Sequence, residues 1–99
     1  MTVEVTLQAR RRLFDIWKRI EQSSSSTTAD KVVARLLKRA RELGGHPRKG
    51  PPEPYLAHHG KEHRFLLLGR YKILYHITEE TVFVTDFFDT KQHPARMRG

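Results

Sequence analysis

The sequence predicts an α+β domain in which a short strand and then two antiparallel helices pack on a mainly antiparallel four-stranded sheet. Apolar residues recur at helical spacing in two segments of the first half, and three strand-like patterns follow one another in the second half. Two helices with one apolar stripe each, beside a sheet with an apolar face, bury those surfaces best against each other. Because 99 residues suffice for one core but not for two, we expect a single domain over residues 1–99.

The first element is a short strand, predicted where Val3 and Val5 flank Glu4, and we expect it to join the sheet at an edge. Thr6 is suited to cap a following helix, because its hydroxyl can accept a hydrogen bond from a free backbone N–H. From Ala9 onward the apolar residues have helical spacing, at Leu13, Ile16, Trp17 and Ile20. The first helix is therefore predicted to be amphipathic, with one buried stripe.

The run Ser23–Thr28 is predicted to separate the two helices, since hydroxyl side chains compete for backbone hydrogen bonds and favour caps and turns. The second helix should begin near Thr28, and it has the clearest helical period of the chain, at Ala29, Val32, Val33, Leu36, Leu37, Ala40 and Leu43. After it, Gly44 and Gly45 predict a left-handed cap, and Pro47 prevents continuation.

Residues 46–61 contain four of the five prolines, so we expect a long loop there that is mobile or covers a sheet edge rather than one that catalyses. Three strands follow, within 65–68, 71–78 and 81–88. Their two-residue connections make them antiparallel neighbours, because a parallel crossover needs a dozen or more residues. We expect Lys72 and a partly exposed His76 to share one face of the sheet. The predicted sheet core comprises Tyr71, Ile73, Tyr75, Ile77, Phe83 and Phe87.

The charge balance is strongly basic, with 19 Lys and Arg against 11 Asp and Glu, a net charge of +8. This predicts attraction to a polyanion or to an acidic protein. An unpaired sheet edge beside apolar helix stripes suits a partner segment that is acidic and amphipathic. The absence of cysteine, of a secretory signal and of a membrane-spanning segment favours a cytoplasmic protein, and no motif calls for a cofactor or a metal ion.

Four blocks of the sequence, taken in order, resemble toxins of the RelE/ParE superfamily of bacterial type II toxin–antitoxin systems. They are VEVTLQARRRLFDIWKRI, the second helix ending at a proline, HRFLLLGRYKILYHI and TVFVTDFFDTKQHP. The third block is similar to the family's arginine, four residues, glycine, one residue, then Tyr-Arg-Ile-x-Tyr. The fourth is similar to Asp-Thr-Arg-Gln-Asn-Pro. The resemblance covers most of the chain and implies a growth-inhibiting toxin that is neutralised by an antitoxin, with operator DNA reached only through that antitoxin.

The resemblance implies one of two activities, with different residues. A ParE-like toxin is a binding protein that inhibits DNA gyrase, and its target contacts would come from Arg64, Arg70, Lys72 and Lys91. A RelE-like toxin is an enzyme that cleaves messenger RNA on the ribosome, and its catalytic residues would come from His63, Lys72, Lys91 and His93. Cleavage by the 2′-hydroxyl needs a group that accepts its proton, a group that protonates the leaving oxygen, and cations that stabilise the phosphate.

The gyrase interpretation is preferred because the ribonuclease set is incomplete. Lys72 and Lys91 stand where the family patterns have arginine, and lysine lacks the bidentate fork that holds a phosphate. A structural role for Arg64, anchoring the loop or a carboxylate such as Asp86 or Asp89, ranks level with a functional one. A degenerate toxin that retains only antitoxin and operator-complex functions is a third alternative.

Overall fold

The computed structural model describes all 99 residues and contains two helices and one four-stranded sheet. The strands are β1 (Thr2–Val5), β2 (His63–Leu68), β3 (Tyr71–Thr78) and β4 (Thr81–Asp89), and the helices are α1 (Leu7–Ser23) and α2 (Ser26–Arg41). The strand order is β1-β4-β3-β2, with β1 parallel to β4 and the other neighbours antiparallel. The predicted α+β architecture and the edge position of β1 are confirmed. No helix combines the length and the apolar character needed to cross a membrane.

Side-chain caps fix where both helices begin. The Thr6 hydroxyl accepts a hydrogen bond from the N–H of Ala9 at 3.2 Å, as predicted, and the Ser25 hydroxyl accepts one from the N–H of Thr28 at 3.1 Å. Since one cap is enough to begin a helix, the hydroxyl residues after Ser25 form its first turn. The prediction that all of Ser23–Thr28 separates the helices was therefore wrong, because only Ser24 and Ser25 lie between them.

The end of α2 differs from the predicted left-handed cap. The helix continues into a 3₁₀ turn, Glu42–Gly44, and Gly45 keeps a right-handed φ of −88°. Gly44 is needed for close approach instead, since a Cβ there would lie 2.6 Å from the carbonyl oxygen of Met1. The Met1 amino group donates to the Gly44 carbonyl at 2.8 Å, so the end of α2 is held against the start of β1.

The main core lies between the helix hairpin and one face of the sheet. As predicted, β3 directs Tyr71, Ile73 and Tyr75 into this core, and Ile77 packs at its margin. The other buried members come from both helices, the 3₁₀ turn after α2, β2 and β4: Ala9, Leu13, Ile16, Leu36, Ala40, Leu43, Leu66, Val82, Val84 and Phe87.

A β-bulge changes which side chains of β4 face the helices. Leu74 pairs with Asp86 and Tyr75 pairs with Val84, so Thr85 is an extra residue on β4. One inserted residue reverses the alternation of side chains along a strand. Phe83 therefore lies on the face opposite the helices, 5.4 Å from His76 between ring centroids, and the prediction that it belongs to the main core was wrong.

The rear face of the sheet has a smaller core of its own, which the sequence did not indicate. Leu56 from the long loop and Met97 from the C-terminal segment pack on Leu74 and Phe88. A second 3₁₀ turn, Pro54–Leu56, and a third, Pro94–Arg96, position these two covering segments. The long loop and the tail thus act as a partial third layer.

The long loop also covers the outer edge of β2. The N–H of Phe65 donates to the Pro51 carbonyl at 3.1 Å, and the N–H of Glu53 donates to the His63 carbonyl at 2.8 Å. These bonds use backbone groups of β2 that would otherwise be free at an edge. The edge-covering alternative for this loop is confirmed, and β1 remains the edge strand with no neighbour on its outer side.

Candidate functional site

Arg64 anchors the long loop to the sheet. Its Nη1 donates to the Gly50 carbonyl at 2.7 Å, and its Nη2 pairs with Glu62 Oε1 at 2.7 Å. Gly50 also donates its N–H to the Tyr75 hydroxyl at 3.0 Å, and a Cβ at Gly50 would collide with the Phe65 carbonyl. The predicted anchoring of the loop by Arg64 is confirmed. The alternative prediction, that Arg64 contacts Asp86 or Asp89, was wrong, since those carboxylates pair with other arginines.

Lys72 is only partly exposed, and its ammonium is already paired with a carboxylate. Its Nζ lies 2.6 Å from Glu53 Oε1, and its ammonium sits 4.3 Å from the centroid of the Phe65 ring. The Glu53 side chain is fully buried, while that of Lys72 is 18% exposed. Because an unpaired buried carboxylate is costly, the charge of Lys72 serves to neutralise Glu53.

His63 lies in the middle of a row of three histidine rings on the rear face. Its centroid is 4.6 Å from that of His59 and 5.0 Å from that of His76, with both neighbours edge-on. The Nδ1 of His63 lies 3.1 Å from the Lys61 carbonyl, and its buried Nε2 has no hydrogen-bond partner. Burial, followed by the charge of neighbouring histidines and Lys61, lowers the pKa of His76 to about 4. Burial also lowers the pKa of His63.

The prediction that His76 is partly exposed was wrong, because only 8% of it is accessible. The rings of His63 and Phe83 pack against His76, with centroids 5.0 and 5.4 Å away. No three side chains of the His, Cys, Asp or Glu types are arranged to hold a metal ion.

Arg70 belongs to a second group, centred on Asp89 at the end of β4. Arg70 pairs with both oxygens of Asp89, Arg19 approaches the same carboxylate at 2.9 Å, and the N–H of Lys91 donates to it at 3.0 Å. Burial alone would raise the pKa of Asp89, but the hydrogen bonds from Arg70 and Lys91 and the two arginine charges outweigh it and lower that pKa. Asp89 is thus a charged anchor for this corner of the molecule.

A neighbouring carboxylate, Asp86, holds α1 and the C-terminal segment together. Arg12 Nε lies 3.2 Å from Asp86 Oδ1, and the N–H of Arg98 donates to Oδ2 at 2.9 Å. Burial raises the pKa of Asp86, against the effect of the Arg98 N–H and the Arg12 charge.

The remaining two candidates are exposed residues after β4. The Lys91 side chain forms no ion pair or hydrogen bond, and His93 uses Nδ1 to accept from the N–H of Ala95 at 3.0 Å, which caps the last 3₁₀ turn. The structure therefore brings Arg70 and Lys91 together around Asp89. Lys72, His63 and His93 each have separate partners, and no hydrogen bond or ion pair links the four residues of the ribonuclease set.

An apolar groove with a volume of about 860 Å³ lies beside β1. Its walls are β1 and the two helices, and Phe14, which is 59% exposed, stands in it next to the half-buried Trp17. The other lining side chains are Leu13, Val33, Leu37, Arg10 and Arg41, together with β1 itself.

Sequence reasoning indicated the apolar stripes of both helices but not that they leave this groove open. Helical period assigns Phe14 to the flank of the stripe, and only the crossing of α1 and α2 decides whether a flank is covered. The sequence also gave no indication that Glu53 is buried, because a residue in a segment with four prolines is expected to lie in an exposed loop.

These features define a small α+β domain whose rear face and one sheet edge are covered by its own chain, and whose other edge carries an open apolar groove. A comparison with protein families matches residues 3–94 to the family described as "ParE toxin of type II toxin-antitoxin system, parDE". Among solved structures, the fold is similar to that of the "Chromosomal ParDE TA system from P. aeruginosa". That similarity has a TM-score of 0.77 and 15% identity over 90% of this chain and 95% of that one. No curated protein matches.

Because the match extends over nearly the whole chain, the protein belongs to the ParE toxin family. It is the toxin component of a type II toxin–antitoxin module, as its resemblance to the RelE/ParE superfamily implied, and its partner is a cognate antitoxin.

Proposed function

We propose that this toxin arrests growth by inhibiting DNA gyrase as a binding protein, and that its antitoxin neutralises it by occupying the groove beside β1. The proposal for the target rests on family membership together with one observation. Two of the four residues that a ribonuclease would need are committed to unrelated contacts, with Lys72 neutralising Glu53 and His63 buried between two other histidine rings. Neither is free to receive a proton from RNA or to bind its phosphate.

The test of the target adds the purified toxin to two reactions in parallel. We expect loss of supercoiling by gyrase, restored when the antitoxin is added in equimolar amount, and no cleavage of a reporter message on translating ribosomes. A type I topoisomerase serves as the control and should keep its activity at the same toxin concentration. Message cleavage with undisturbed supercoiling would show the RelE-like activity instead and refute the proposal.

The proposal for the antitoxin rests on the open edge and the groove. The outer side of β1 has no strand partner, so an extended segment can add to the sheet there through backbone hydrogen bonds. Phe14, Trp17 and Leu37 offer apolar surface next to that edge, and Arg10 and Arg41 border it. An acidic amphipathic segment fits both features and the net charge of +8.

We expect Phe14→Ala to weaken antitoxin binding about 30-fold, since aromatic anchors dominate such interfaces. Tyr55→Ala is the matched control, because Tyr55 is 63% exposed against 59% for Phe14 and lies outside the groove. Titration calorimetry measures both affinities, and Trp17, the single tryptophan, reports on occupation of the groove by its fluorescence. Hydrogen exchange of the complex should slow at β1 and along the helix hairpin. Equal effects of the two variants, or unchanged exchange at both places, would contradict this location.

A further inference from the structure

Six basic residues lie where α1 passes the end of β4 and the last 3₁₀ turn. They form the basic strip, which consists of Arg12, Arg19, Arg70, Lys91, Arg96 and Arg98. Three acidic side chains lie among them: Asp15 is exposed, and Asp86 and Asp89 are buried. The strip therefore presents an excess of positive charge to the solvent.

The two buried carboxylates orient the arginines without using up their donors. The side chains of Arg12, Arg19 and Arg70 are 21%, 49% and 40% exposed, whereas those of Asp86 and Asp89 are 0% and 3% exposed. A guanidinium has five N–H donors, and a carboxylate occupies two of them at most in a bidentate pair. Since Arg19 and Arg70 share Asp89, one positive charge of this trio is left without a counter-charge.

The strip is continuous and long enough for several phosphates. Two shallow grooves, of about 200 and 590 Å³, are lined by four of its members, Arg12, Arg19, Arg96 and Arg98, and share Arg12 and Arg96. Arg12 and Arg19 lie seven residues apart on α1, which corresponds to about 10 Å along the helix axis. One strand of duplex DNA places about three phosphates within that length.

The lining of the strip favours nucleic acid over protein as the partner. The exposed large apolar residues of the chain are Met1, Leu7, Phe14, Tyr55 and Leu67, and none of them lines either groove. Protein interfaces depend on a few apolar or aromatic anchors, whereas DNA interfaces are polar and strongly positive. The lack of an exposed aromatic ring also disfavours single strands, which bind largely by stacking of their bases.

We propose that the toxin itself binds the phosphate backbone of duplex DNA through the basic strip, without regard to sequence. This goes beyond inhibition of gyrase, and it differs from the expectation that operator DNA is reached only through the antitoxin. The groove beside β1, where we place the antitoxin, lies on the other side of α1 from the strip. It is bordered by Arg10, Phe14 and Trp17, and the two sites share no lining residue.

The test measures fluorescence anisotropy of a labelled 20-base-pair duplex with the full-length toxin, in the absence of gyrase. The informative variant is Lys91→Ala/Arg96→Ala, because neither side chain makes an ion pair or hydrogen bond whose loss would affect folding. The control is Lys31→Ala/Arg35→Ala, which removes the same charge from exposed positions of α2. Circular dichroism verifies that both variants are folded.

We expect the strip variant to bind about tenfold or more weakly at 50 mM salt, and the dependence of log affinity on log salt to become shallower by about 2. The control should lose much less. Equal losses in both variants would overturn the proposal, because binding would then follow net charge alone. Tighter binding of the matching single strand, or equally effective competition by polyglutamate, would also overturn it, in the latter case in favour of an acidic protein partner. Gyrase inhibition is scored separately, so failure of one proposal leaves the other to its own test.

Discussion

Replacement of Lys72 by methionine is expected to lower the free energy of unfolding by about 3 kcal/mol, because it leaves a buried carboxylate without its counter-charge. Glu53 is fully buried 2.6 Å from the Lys72 ammonium, and its second oxygen accepts only the N–H of Tyr55. Urea unfolding followed by circular dichroism measures the change. Lys91→Met is the matched control, since Lys91 is exposed and unpaired, and its effect should stay within about 0.5 kcal/mol.

A second variant separates the ion pair from the packing of the lysine stem. In Lys72→Met/Glu53→Gln no charge is buried, and the Gln oxygen can still accept the Tyr55 N–H, so we expect recovery of at least about half of the lost stability. If Lys72→Met leaves the free energy of unfolding unchanged, the ion pair does not stabilise the fold. The lysine would then again be a candidate for target contact or catalysis.

Acidification from pH 7 to pH 5 is expected to lower the free energy of unfolding by about 2 kcal/mol through His76 alone, and by about 3 kcal/mol at pH 4. The pKa of His76 is about 4 in the folded protein, while an unfolded histidine has a pKa near 6.5. Between these values the unfolded state binds more protons, so stability rises with pH across the window and is fully present above it. His63 contributes a further loss of stability on acidification, since its pKa is lowered as well.

His76→Phe removes the titration and keeps an aromatic ring against Phe83, so it should flatten the dependence of stability on pH in this range. The titratable groups near His76 are His63 on β2 and, in the long loop that precedes β2, His59 and Lys61. Phe83 packs on its other side. His58→Phe changes an exposed histidine of the same loop and should leave the slope as in the wild type. Denaturant unfolding at pH 7, 6 and 5 provides the comparison. An equal slope in wild type and His76→Phe would show that burial of the imidazole has no effect on stability.

Local chemistry was sufficient to predict most of the secondary structure. Thr6 caps α1 because the capping interaction lies within three residues, and the short connections between strands enforce antiparallel neighbours. The misplaced start of α2 depends locally on which hydroxyl residue caps it, whereas two other misassignments arose where separate parts of the chain meet. Gly44 packs against the Met1 carbonyl and forms no left-handed cap, and Phe83 faces the rear because an extra residue at Thr85 shifts the alternation.

The candidate site was less predictable than the fold for the same reason. An anchoring role for Arg64 ranked level with a functional one, and its acceptor, the Gly50 carbonyl, is a backbone atom that no side-chain pattern identifies. Lys72 gave no sign of its partner, since Glu53 lies 19 residues earlier within a proline-rich loop. His63 and His76 are spaced as ordinary strand residues, and only the register of β2 with β3 brings their rings together.

The parallel pairing of β1 with β4 has a consequence for the time at which the toxin becomes competent to bind. Val3 pairs with Val82 and Val5 with Val84, so β1, which is synthesised first, forms its strand hydrogen bonds with β4, which is synthesised last. The hydrogen bonds of β1 therefore cannot form until β4 has been synthesised, and closing so long a stretch of chain adds an entropic cost. One wall of the groove beside β1 is therefore absent from a nascent chain. If the antitoxin binds there as proposed, it can capture the toxin only after the fourth strand has been made.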